Sequence, residues 1–191
     1  MTGGWTWAGR FIQAAGLPPE PSFSQVVNAV ASVPYGRPPC RTPEGAIEAW
    51  RGTCSTKHLL LALVCRDLFP ERQMELVHRV YRLLPDEALR LFGSRAAAAV
   101  PSGGLVDVHT YATGLVGGAR QPIDVTFPLA REWDGSSPMV LSCPAGEDHP
   151  GGANPLASKA LLEMEHRDPA VREPFVAALT EASRSRGSRY P

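Results

Sequence analysis

Apolar positions recur along the chain with two periods, one helical and one alternating. Val26, Val27 and Val30 share one side of a helix that Ser22 or Ser24 caps and that runs to Val33. Pro34 to Pro39 is a loop. Thr42 before Pro43 has the form of an N-cap and first helical residue and predicts a helix to about Trp50, stopped by Gly52. The apolar run Leu59 to Val64 predicts a helix from about Cys54 to Leu68, ended by Pro70. Met74 to Leu84 has the length of a helix, but Val, His, Val and Tyr alternate there with Glu and Arg, which favours a strand. Pro85 opens a helical stretch to about Ala99.

Val106 to Val116 and Gln121 to Phe127 read as two strands around Gly117-Gly118, a hairpin signal. Pro138 to Cys143 reads as a further strand, and residues 144–153 as a Gly/Pro loop. Asn154-Pro155 and Asp168-Pro169 each open a C-terminal helix. Residues 1–21 carry no clear period. No repeat and no second domain is visible, so the 191 residues are expected to form one domain of mixed helices and strands.

Composition narrows the function classes. Apolar residues make up 43%, enough for a real core, and 19 basic residues balance 19 acidic ones. A net charge of zero gives no electrostatic case for nucleic acid or an anionic membrane. The basic run Arg184 to Arg189 reads as a solvated terminus. The four cysteines are widely spaced with no CxxC pair, and no signal peptide or membrane span is expected. A reducing cytoplasm is the expected compartment.

The chemistry centres on Cys54. A thiol in the first turn of a helix meets unpaired N–H groups and the positive end of the dipole, both of which favour the thiolate. With Gly117 and Gly118 as the two loop residues, position 111 faces 124 and 109 faces 126. His109 and Asp124 then lie on one face as diagonal neighbours; a slip of one residue would separate them. Cys54 would be the nucleophile, His109 the base and then the acid, and Asp124 the group that orients His109. The Cys54 N–H is one oxyanion donor, with Trp50 and Tyr35 as candidates for a second. Gly52 would let substrate approach the sulfur, Lys57 would support the thiolate or lie on the surface, and Tyr111 shares the face of His109 as a pocket candidate.

Other residues compete for these roles. His58, one turn after Cys54, is a rival base or packs behind the site. A metal held by Cys54, His58 and Cys65 would span roughly 16 Å, too far for one tetrahedral ion, so neither metal nor cofactor is expected. His78 reads as structural, and Asp107 as a strand-edge surface group that could stand in for Asp124. Each member of the triad alone has a plain structural explanation. Their agreement in element, chain order and register favours catalysis.

Gly52-Thr53-Cys54-Ser55-Thr56-Lys57-His58 before a Leu-rich helix, then Val108-His109-Thr110-Tyr111, then Ile123-Asp124-Val125-Thr126, resembles the bacterial transglutaminase-like branch of the papain-like superfamily, over about residues 34–128. The resemblance implies an α+β fold with the cysteine helix packed on an antiparallel sheet; the C-terminal helical extension over about 150–185 lies outside it. It also implies acyl transfer through a Cys54 thioester, ending in hydrolysis, deamidation or transfer to an amine. The partner would be an acyl or amide substrate: a small molecule, a peptide or a carrier-bound group. The pattern departs from the family where Thr110 follows the histidine, and in residues 85–104, which look like an insertion. Two other functions stay open: a catalytically silent domain that binds a peptide or protein, and an amide-forming acyltransferase in a small-molecule pathway. Oligomeric state stays open too.

Overall fold

The computed structural model describes residues 6–187, with side chains as far as residue 183. The order of elements is α1 (Trp7–Ala15), α2 (Phe23–Ser32), α3 (Pro43–Glu48), α4 (Cys54–Leu68), β1 (Glu75–Leu83), α5 (Pro85–Phe92), α6 (Ser94–Ala98), β2 (Leu105–Val116), β3 (Ala119–Ile123), β4 (Gly146–Pro150), α7 (Pro155–His166) and α8 (Pro169–Gly187). The four strands form an antiparallel sheet in the order β3-β2-β1-β4, which makes the chain α+β. No helix among the described residues is long and apolar enough to cross a membrane.

Local chemistry accounts for most helix starts. Ser22 and Gln25 cap α2 reciprocally, the Gln25 N–H donating to Ser22 Oγ (3.2 Å) and the Ser22 N–H to Gln25 Oε1 (2.7 Å). The Thr42 hydroxyl accepts from the Gly45 N–H at 3.1 Å with Pro43 in the first helical position. The Thr53 N–H at the head of α4 donates to Thr56 Oγ1 at 2.9 Å. From there α4 runs into one hydrophobic core. Its Leu60, Leu61, Val64 and Cys65 pack with Val26, Val27 and Val30 of α2 and with Ala112 and Ile123 of the sheet. Truncating one such leucine costs about 2–5 kcal/mol, so the core fixes where the head of α4 stands. A second core joins Tyr35, Leu83, Phe92 and Leu105 to Phe175 and Leu179 of α8.

The expected hairpin register holds: Val116 pairs with Ala119 and Ala112 with Ile123. Gly117 and Gly118 both have positive φ, 59° and 82°, as the tight turn requires. Three expectations need correction. The second hairpin strand ends at Ile123 and not Phe127. The helix expected from Pro85 to Ala99 breaks at Gly93, whose φ of 90° no helix accommodates, into α5 and α6. Residues 138–143 are irregular, and the fourth strand is Gly146–Pro150, inside the expected loop. Nothing in the local pattern of Gly146–Pro150 favours a strand. It is held from outside, by pairing with β1 and by a fork of two bonds from Arg79 to Asp148 at 2.7 and 2.6 Å.

Candidate functional site

Cys54 is the first residue of α4, so its backbone N–H has no acceptor within the helix. Its side chain is buried, close enough to His109 for the imidazole to lower its pKa. His109 comes from the middle of β2, and its Nε2 meets Asp124 Oδ2 at 2.9 Å. Asp124 is the first residue beyond the paired part of β3, and the hairpin register keeps it on the His109 face. Its carboxylate also accepts from the Ser142 N–H (2.7 Å, Oδ2) and the Thr126 N–H (2.9 Å, Oδ1). The structure therefore brings Cys54, His109 and Asp124 together, with His109 bonded to Asp124 and near the thiol.

Burial alone would raise the Cys54 pKa; the Lys159 ammonium and His109 outweigh it and bring the thiol down to about 6. Burial alone would lower His109, but the charge and hydrogen bond of Asp124, with Cys54, push it up to about 9. Against its own desolvation, Asp124 is held well below the usual carboxylate range by His109 and the bonds it accepts. At neutral pH these directions describe a thiolate beside an imidazolium, anchored by a carboxylate.

His58 packs behind this row. The Val125 N–H donates to its Nε2 at 2.9 Å, so the proton sits on Nδ1 and goes to the Cys54 carbonyl at 2.7 Å. With no proton on Nε2, the 3.5 Å approach to Asp124 Oδ1 is not an ion pair. Burial pushes the His58 pKa down to about 4, and with Nε2 taken by the Val125 N–H and Nδ1 by the Cys54 carbonyl it has no nitrogen free to serve Cys54 as a base. His78 is structural as expected, bonded to Thr110 Oγ1 (3.0 Å) and to the Pro155 carbonyl that opens α7 (2.9 Å).

Four pocket candidates are displaced from their expected roles. Lys57 neither supports the thiolate nor lies on the surface. It is fully buried, and its ammonium donates to the carbonyls of Ala31, Val33 and Thr126 at 3.0, 2.7 and 3.1 Å. Gly52 makes room for that lysine and not for substrate: a Cβ there would lie 2.7 Å from Lys57 Cγ and 2.9 Å from Thr56 Oγ1. Trp50 stacks on Phe11, ring centres 6.2 Å apart, and does not face the cavity. Tyr111 stacks beside His109 and donates to Asp148 at 3.0 Å, which braces the imidazole without lining the cavity. Tyr35 does line it, and burial keeps its phenol protonated. Asp107 corrects a further expectation. It is buried and not a surface group, and it pairs with Arg172 of α8.

The cavity above Cys54 measures about 220 Å³. Thr126 Oγ1 lies on its wall, buried and without a partner among the described residues. The far wall comes from α7 and α8, and it carries what the sequence reading missed. Lys159 of α7 is buried with its Nζ donating to Cys54 Sγ at 3.1 Å. Glu163, one turn on, accepts from Arg172 at 3.1 Å and pairs with Arg167 at 3.3 Å. Lys and Glu four residues apart on a helix read as a solvated pair, so the pattern gave no sign that this face turns inward. Among the described residues no group of three or more His, Cys, Asp or Glu could hold a metal ion. In chemical terms the arrangement offers a charged nucleophile, a proton donor and acceptor oriented toward it, and N–H groups beside it. No family model, no curated protein and no solved structure matches the chain.

Proposed function

We propose that this chain is a thiol enzyme of papain-like, transglutaminase-like design that transfers an acyl group through a thioester on Cys54. The observation that carries the reading is His109 held between the Cys54 thiol and the Asp124 carboxylate, with the thiol at a helix N-terminus. The Cys54 thiolate attacks the substrate carbonyl, and the Cys54 N–H receives the developing oxyanion. His109 bonds Asp124 through Nε2, so Nδ1 faces the sulfur and delivers its proton to the leaving amine or alcohol. The neutral imidazole then takes a proton from water or an incoming amine as that nucleophile attacks the thioester, and Cys54 leaves as thiolate. Asp124 holds the ring in the tautomer both steps need. The four cysteines are all unpaired, which suits a reducing cytoplasm.

The test is capture of the acyl-enzyme. Incubation with p-nitrophenyl acetate should give one acetyl adduct on Cys54, read by peptide mass spectrometry. It should be absent in Cys54→Ala and form far more slowly in His109→Ala. An adduct that forms equally fast in His109→Ala, or none on Cys54, would refute the reading.

A further inference from the structure

The two buried lysines of this site differ in what their protons do. Lys57 has three ammonium protons and three backbone carbonyls at bonding distance, so it is saturated. Lys159 is buried too, though 5% exposed where Lys57 is 0%, yet among the described residues it has one hydrogen bond, to Cys54 Sγ at 3.1 Å. Among the described residues its nearest carboxylate oxygen, Glu163 Oε1, stands at 3.9 Å, beyond a hydrogen bond. That carboxylate is already engaged by Arg172 on one oxygen and Arg167 on the other. A buried ammonium with unused donors is costly unless an acceptor arrives. Lys159 lines the cavity in which a substrate carbonyl would meet Cys54.

We infer that Lys159 is a catalytic residue, the second oxyanion donor beside the Cys54 N–H, receiving the charge that moves from sulfur to oxygen as the tetrahedral intermediate forms. The inference rests on the acyl-transfer reading. The oxyanion sits on the carbon bonded to Sγ, two bonds from that sulfur, within reach of a group already touching it. No bond to lysine forms or breaks: one N–H turns from sulfur to oxygen as negative charge leaves the sulfur, and turns back when the thiolate is expelled. A fixed cation that follows the charge in this way acts on the transition state more than on the resting thiolate. Arg172, bonded to Asp107 as well as Glu163, ties α7 to β2 and holds this wall over the thiol.

Two reactions on one thiol separate this role from mere support of the thiolate. Alkylation by iodoacetamide forms no oxyanion; acylation by p-nitrophenyl acetate does. The thiolate fraction enters both rates equally and cancels in their ratio. In Lys159→Met the ratio of acylation to alkylation at Cys54 should fall about 100-fold, the usual effect of removing one oxyanion donor. Lys159→Arg, which keeps charge and donors, should retain most of it. Equal falls in both rates, leaving the ratio unchanged, would overturn the inference and leave Lys159 a partner of the thiolate only. If Lys159→Met does not fold, Lys159→Leu and Lys159→Arg decide: a ratio no higher in Arg than in Leu overturns it. Wild-type Cys54 that is alkylated but never acylated would instead count against the acyl-transfer reading beneath it.

Discussion

Asp124→Asn separates geometry from charge, because the amide keeps the shape of the carboxylate. The side chain now accepts three N–H groups: His109 Nε2 and Ser142 N on Oδ2, and Thr126 N on Oδ1. An amide has one oxygen, and both of its orientations fail somewhere. With NH₂ at the Oδ2 position it confronts the Ser142 N–H and forces His109 to accept through Nε2. The imidazole proton then moves to the nitrogen facing Cys54, where it cannot receive the thiol proton. With NH₂ at the Oδ1 position it confronts the Thr126 N–H. Either clash costs about 1–3 kcal/mol of stability. The lost charge acts in both orientations. At about 4 Å and an effective dielectric of about 20, two unit charges attract by roughly 4 kcal/mol, or about three pH units as an upper figure. Lys159 remains beside the sulfur, so the Cys54 midpoint should climb from about 6 by one to three pH units. A climb of two units cuts the thiolate at pH 7 about 10-fold by the same arithmetic. The assay is the pH profile of iodoacetamide labelling of Cys54 in wild type and Asp124→Asn, with urea unfolding of both. An unchanged profile at unchanged stability would refute the reasoning.

Two further outcomes follow from buried charges. Arg172→Met strands Asp107 and should cost about 3–5 kcal/mol in urea unfolding, while Arg172→Met with Asp107→Asn should recover a large part; losses that simply add would show that the pair is not coupled. Between about pH 7 and 9 the lowered thiol and the raised imidazole act with opposite signs and cancel, while buried Lys57, pushed down to about 7, leaves the unfolded chain binding one proton more, so stability should rise with pH by up to about 3 kcal/mol. Below pH 6.5 the unfolded chain binds protons that neutral His58 and His78, each pushed down to about 4, refuse. Each should therefore remove up to about 3 kcal/mol as the pH falls from 6.5 to 4. Urea unfolding at pH 4, 5, 6.5 and 8 checks this, and stability that holds to pH 4 contradicts it.

What was legible in the sequence was what local chemistry decides. Ser22 or Ser24, Thr42 before Pro43 and the prolines at 155 and 169 mark helix starts because the cap and the fixed φ act within a few residues. Gly117-Gly118 fixes a register, and the register alone puts His109 and Asp124 on one face. What escaped is decided across the chain. β4 is a strand because β1 is beside it and Arg79 holds Asp148. Asp107 sits among alternating strand residues and looks outward until α8 brings Arg172 to it, 65 positions away. Lys57 leaves its expected role for the same reason. The lysine next to Cys54 in sequence turns to backbone carbonyls, and the one 105 positions away reaches the sulfur.

The central claim is that Cys54 and His109 form a thiolate–imidazolium pair, and the pH dependence of Cys54 alkylation by iodoacetamide tests it most directly. The predicted wild-type midpoint is about 6, against about 9 for an ordinary thiol. At pH 7 that is roughly 90-fold more thiolate than an unperturbed cysteine carries. In His109→Ala the midpoint should move well up toward the ordinary value, with Lys159 keeping part of the depression. A wild-type midpoint at the ordinary value, or one that His109→Ala leaves in place, would contradict the account.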